Sequence, residues 1–167
     1  MKKSDFYKVG AEKRQDQVIK IGVKNYLLIF GYGIDEDGNG YNIRKNYDHK
    51  PTKTELKEDI TQLIDGTTDS NILQGFRWNE VNVYLSTENQ MNYKAAYDLA
   101  VQTSGATLPV KFKLGEDGSG NAVYHTFEDL AEFTDFYTKA IAYVSDCLNE
   151  GWEEKDSIDY DSLLTDE

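Results

Sequence analysis

Residues 124–152, YHTFEDLAEFTDFYTKAIAYVSDCLNEGW, constrain the fold more than any other stretch. Apolar side chains recur at Phe127, Leu130, Phe133, Tyr137, Ala140, Ile141, Val144 and Leu148. That is the i, i+3, i+4, i+7 spacing of one helical face. Thr126 with Asp129 three positions on makes a capping-box-like start, and Gly151 before Trp152 predicts the stop. The spacing predicts a helix of about 23 residues, roughly 34 Å long, the width of a small domain. Such a helix organises a fold but names no reaction.

The rest of the chain reads as strands and further helices in a repeating order. Residues 1–17 are polar and charged, which predicts an arm or short helix of low order. Val18–Val23 alternates imperfectly, and Tyr26–Phe30 is a continuous apolar run. The turn-rich GYGIDEDGNGY then leads into the alternating Tyr41–Tyr47. Thr52 with Glu55 forms a capping box for a helix to about Asp65, facing inward with Leu56, Ile60, Leu63 and Ile64. Gly75–Trp78 and Val81–Leu85 flank an Asn79-Glu80 turn. Ser86 or Thr87 caps the next helix, whose expected face is Met91, Ala95, Ala96, Leu99 and Ala100. Val110–Leu114, the loop GEDGSGN and Ala122–His125 complete the third hairpin before the long helix.

Strand–turn–strand–cap–helix thus occurs three times, without close sequence similarity between the units. The expected class is α+β: repeated β-hairpin–α-helix units, antiparallel strands packed on helices, and one long C-terminal helix. The expected domains are a basic N-terminal arm at 1–24, a hairpin–helix unit at 25–70, a ββαββα domain at 71–160 and an acidic tail at 161–167.

Charge is unevenly placed. The chain carries a net −12, the wrong sign for a nucleic-acid binder, whose affinity comes from neutralising phosphates. Residues 1–24 nevertheless hold seven Lys/Arg against three Asp/Glu, a net +4 that leaves −16 on the remaining 143. That asymmetry points to docking on an acidic neighbour, another copy of the chain included. No apolar run reaches the 18 or so residues of a membrane span. MKKSDFYKVG lacks the apolar core of a secretory signal, so the expectation is a protein made in the cytoplasm without export.

Residues that could carry chemistry are few. Asp35-Glu36-Asp37-Gly38-Asn39-Gly40-Tyr41 starts like a calcium loop, but its twelfth position is Asn46 and its flanks read as strands. A hairpin turn accounts for it better. His49 and His125 each precede a helix start and suit local packing or hydrogen bonding. Two histidines and the single Cys147, which reads as a small buried residue, are too few for a zinc or di-metal site. No nucleophile, phosphate-binding or metalloprotease motif occurs, so neither cofactor, metal nor catalytic residue is expected.

Several blocks resemble a known family. They are ILQGFRWN, VYLSTENQMNYKAAYDLAVQT, LPVKFKLGEDG, VYHTFEDLAEFTDFYTKAIAYV and LNEGWEEKDSID, spanning about 72–160, with the preceding YNIRKNYDHKPTKTELKEDI. The likeness is to a phage and prophage domain of unknown function. It recurs in tail-fibre, tail-fibre-assembly and other virion-associated proteins, including those of Bacteroides phages. The resemblance implies a non-enzymatic virion protein in fibre, tail or capsid decoration. It would act through contacts with other virion proteins and form homo-oligomers. A tail-fibre assembly chaperone, or a carbohydrate-binding or hydrolytic module, is the alternative. Phe136 and Tyr143, seven apart beside the main stripe of the long helix, are candidates to meet a second protomer or to pack under the first hairpin. Lys2, Lys3, Lys8, Lys13 and Arg14 are the candidates for attachment to the particle.

Overall fold

The computed structural model describes residues 5–165. In chain order the elements are β1 (Tyr7–Gly10), β2 (Gln17–Lys20), β3 (Tyr26–Ile34), β4 (Gly40–Tyr47) and α1 (Lys53–Gln74). Next come β5 (Arg77–Trp78), β6 (Val81–Asn82), α2 (Thr87–Gln102), β7 (Val110–Glu116), β8 (Ala122–Phe127), α3 (Leu130–Ser157) and α4 (Tyr160–Leu163). The class is α+β, and each pairing of described strands is antiparallel. Two compact units divide the chain: residues up to Thr61 with those from Ser157 onward, and Gln62–Asp156. The division falls inside α1, a helix that continues well past Asp65 to Gln74.

The first unit holds a four-stranded sheet in the order β1-β4-β3-β2. Residues 5–20 are therefore no low-order arm. A long hairpin leaves backbone donors and acceptors open along both edges, and β1 and β2 satisfy one edge each. Their connection is tied down where β3 bulges between Phe30 and Gly33. There the Gly31 N–H donates to Asp16 Oδ1 at 2.7 Å, with Gly31 at φ +68°. Leu28, Leu56 and Ile60 have no exposed surface and centre this unit's core. The capping box at the start of α1 is complete: Thr52 N–H donates to Glu55 Oε2 at 2.8 Å and Glu55 N–H to Thr52 Oγ1 at 3.2 Å. The described part of the expected acidic tail is also structured. Asp159 caps α4, Leu163 is buried, and Asp161 pairs with Lys53 at 2.8 Å.

The second unit is built on aromatic rings. The β5–β6 turn places Asn79 and Glu80 at φ +46° and +68°, the paired positive angles of a type I′ hairpin. Tyr84 N–H donates to the Leu114 carbonyl at 2.8 Å, joining the segment after β6 to β7. Phe127, Phe133 and Phe136 are fully buried among Trp78, Tyr93 and Phe76. The inner face of α2 is Tyr93, Ala96, Tyr97 and Ala100, displaced from the expected one, and Met91 and Leu99 stand 66% and 49% exposed. The two tyrosines take the inner face because their rings bring more apolar area and specific contacts. Tyr93 stands edge-on to Phe112 and Phe136, and Tyr97 stacks on Tyr137 at 4.5 Å.

The long helix α3 differs from expectation at both ends. Asp129, not Thr126, caps it, accepting from Glu132 N–H at 2.8 Å, while Thr126 pairs with Lys111 inside the β7–β8 hairpin. Gly151 does not stop the helix. It is buried, and a Cβ there would stand 2.5 Å from Thr68 Oγ1, so the glycine allows close approach to α1. Cys147 is buried on the same helix.

Candidate functional site

The titratable groups that gather most closely lie in the first unit. Tyr47 ends β4, and Asp48 and His49 lead toward α1, whose first turns present Glu55 and Asp59. His49 Nδ1 lies 2.7 Å from Asp48 Oδ1 and Nε2 lies 3.0 Å from Glu55 Oε1. Carboxylates accept but do not donate, so both contacts are satisfied only by the imidazolium. Asp48 and then Glu55 hold the His49 pKa above its ordinary value. His49 in turn draws Asp48 below the usual carboxylate range, and Thr52, then His49, does so for Glu55. Beside this clasp Asp59 accepts from Lys45 Nζ and Tyr47 Oη, each at 2.7 Å. Burial, followed by the Asp59 carboxylate, pushes the Tyr47 hydroxyl far above the ordinary phenol range, which makes it a donor and not a base.

These groups line an open cleft of about 770 Å³ with Asp5, Asn25 and Glu58. Lys45 and His49 are paired with Asp59, Asp48 and Glu55, and the pairing fixes the start of α1 to β4. His125 meets one carboxylate in place of two: Nε2 lies 2.7 Å from Glu132 Oε1 in the first turn of α3, and Trp78 stands edge-on at 5.0 Å. Among the described residues no three His, Cys, Asp or Glu side chains are placed to hold a metal ion. No described helix is long and apolar enough to cross a membrane. The Asp35 loop is a hairpin turn whose carboxylate Oδ1 accepts from Asp37 and Asn39 N–H at 3.0 and 2.8 Å. Asp117 does the same for Ser119 and Asn121, both at 2.9 Å.

The described interface candidates expected from the sequence are each engaged within their own unit. Lys2 and Lys3 lie outside the described residues. Lys8 Nζ sits 4.2 Å above the Tyr41 ring. The Lys13 carbonyl accepts from Asn42 Nδ2 at 3.3 Å. Arg14 Nε pairs with Asp16 at 2.7 Å, its guanidinium 5.1 Å from the Phe30 ring. Phe136 is fully buried on the inner face of α3, packed on Phe76, Trp78, Tyr93 and Phe127 of its own unit and not presented to a second protomer. Tyr143 is half-buried and donates to the Asn71 carbonyl at 2.7 Å, with its ring 5.5 Å from Phe76. Burial, then Cys147, pushes its pKa up to about 12.

A family model described as a domain of unknown function (DUF4376) matches residues 55–167, more than half of the chain. The chain belongs to this family. The DUF4376 match begins at the capping-box acid Glu55 and takes in the whole Gln62–Asp156 unit, whereas the four-stranded sheet precedes it. No curated protein and no solved structure matches the chain. Within the DUF4376 segment the large apolar side chains left outside are Tyr84, Met91, Leu99, Val101, Tyr124, Ile141 and Trp152. The helical spacing predicts inner positions for Met91, Leu99 and Ile141, yet all three are exposed, and α3 continues past Gly151 and Trp152 to Ser157. For Trp152, the signal available was its place after Leu148 and Gly151 on one continuing helical face.

Proposed function

We propose that the protein is a non-enzymatic component of a bacteriophage particle, in fibre, tail or capsid decoration, acting through protein–protein contacts. The similarity of blocks across 72–160 to the phage-associated domain supports this reading. The observation that carries it is the outward apolar surface of that same region. α2 turns Tyr93 and Ala100 inward and still leaves Met91 and Leu99 outside, and Trp152 is 54% exposed. Aromatic residues and Met are enriched where proteins contact one another. The partners are other virion proteins and further copies of the chain. Mass spectrometry of purified particles tests the reading: the protein is present in a defined number of copies, and its absence contradicts the proposal. Light scattering of the isolated protein gives an oligomer; a monomer at high concentration removes the self-association.

A further inference from the structure

We propose that the groove between the second half of α1 and the last turns of α3 receives an arginine side chain from a partner polypeptide. In this arrangement the guanidinium lies on the Trp152 ring beside the Asp69 carboxylate. The groove measures about 250 Å³ and is lined by Asp65, Thr68, Asp69, Leu148 and Trp152. Leu148, Gly151, Trp152 and Lys155 follow the i, i+3, i+4, i+7 spacing, so one face of α3 presents them together. Asp65 and Asp69 stand four apart on α1 and share a face in the same way.

Three observations select the occupant. The groove already binds a cation: Lys155 Nζ lies 2.6 Å from Asp65 Oδ1, which neutralises that lysine and that aspartate together. Asp69, one turn further on, has no cationic partner among the described residues and lines the same groove. The field around it is strongly negative. Residues 62–156 hold sixteen Asp and Glu against six Lys and Arg, a net −10, and Glu150, Glu153, Glu154 and Asp156 surround Trp152 in sequence.

The second tryptophan, Trp78, is 4% exposed, whereas Trp152 leaves more than half of its surface in solvent. An exposed indole offers a cation its negative face, and a nearby carboxylate offers it acceptors. Arginine suits both at once, because its planar guanidinium stacks on a ring while its edge forks onto a carboxylate. Lysine meets the carboxylate only as a point charge and has no plane to stack, and an anion is repelled.

The inference rests on the reading of the protein as a contact module, but its test needs no particle. The full-length ¹⁵N-labelled protein is titrated with an acetylated, amidated Gly-Arg-Gly peptide and with the same peptide carrying citrulline, the neutral isostere. The Trp152 indole N–H resonance is assigned by its loss in Trp152→Phe. The expected result is a saturable shift of that resonance with a dissociation constant in the millimolar range. The shift weakens several-fold in Asp69→Asn and is missing with citrulline, and the buried Trp78 indole stays fixed. No saturable shift, an equal response to citrulline, or an unchanged response in Asp69→Asn overturns the inference. A protein that binds the arginine peptide yet is missing from particles would refute only the virion assignment. A protein found in particles whose groove ignores the peptide would refute only the groove.

Discussion

Replacing Phe136 by Ala separates two roles for the long helix: organising the core, or facing a second protomer. The Phe136 ring has no exposed surface. Its centroid lies 5.0 Å from those of Tyr93 and Phe127, 5.2 Å from Trp78 and 6.3 Å from Phe76. Truncation removes a buried ring whose neighbours cannot close the gap without giving up their own edge-on and tilted contacts. A Phe→Ala change at such a site costs about 3–5 kcal/mol. Set against a total stability of about 5–15 kcal/mol, that is about a fifth or more of what holds an ordinary domain folded. In a chain of this length each kcal/mol lowers Tm by about 2–4 °C, so a fall of roughly 6–20 °C follows. Urea unfolding followed by near-ultraviolet circular dichroism reads the change locally, since Trp78 contacts the deleted ring. The midpoint should drop with the slope unchanged. A loss within about 0.5 kcal/mol, the range of ordinary surface substitutions, would refute the reasoning and return Phe136 to the surface.

Other positions give independent checks. Gly151→Ala gains up to about 1 kcal/mol of helix propensity but drives its methyl to 2.5 Å from Thr68 Oγ1, an overpacking cost of about 1–3 kcal/mol, so a net loss of up to about 2 kcal/mol is expected. Combining it with Thr68→Ala should restore most of that in the same thermal melt. Thr52→Ala removes the hydroxyl that accepts from Glu55 N–H, leaving the Thr52 N–H bond to the Glu55 carboxylate, and should lower stability by about 1 kcal/mol, with Thr52→Ser close to neutral. His49 should titrate above its ordinary 6.5 in an NMR pH series, and Asp48→Asn should bring it down. The sign follows from the raised value: the clasp's contribution is in place below pH 6.5 and is lost as pH rises through the folded-state pKa. A His49 pKa at or below 6.5 contradicts the two-carboxylate geometry.

Where local chemistry dictated the structure, the sequence was readable. The three hairpins announce themselves through period-two runs closed by loops that need glycine or asparagine. The equivalent loops Asp35–Asn39 and Asp117–Asn121 use one device: a leading aspartate whose carboxylate takes two backbone N–H groups and a glycine at φ +84° or +78°. The Thr52–Glu55 box and the Ser86 cap are equally local. What escaped notice was decided by distant partners. β1 is a four-residue strand with polar positions, recognisable only from the open edge of a hairpin 37 residues away in register, Tyr7 opposite Arg44; Val18–Val23 carries an alternating signal, but the pairing of β2 along β3 does not follow from it. The inner face of α2 went to Tyr93 and Tyr97 because rings on β7 and α3 were there to receive them. Gly151 looked like a terminator until Thr68 was placed beside it. The clasp around His49 was half legible, since His49 and the capping acid Glu55 lie six residues apart, but Asp59 joins only through the turn of α1.

The central claim is that this chain works as a building block whose outer surface is used by other proteins of a phage particle. An electron cryo-microscopy map of particles released from the strain that carries the gene tests it most directly. The account predicts density that fits the Gln62–Asp156 unit, with Met91, Leu99 and Trp152 covered by a neighbouring polypeptide. Particles that lack this density, or that hold the unit with those three side chains bare to solvent, would contradict it.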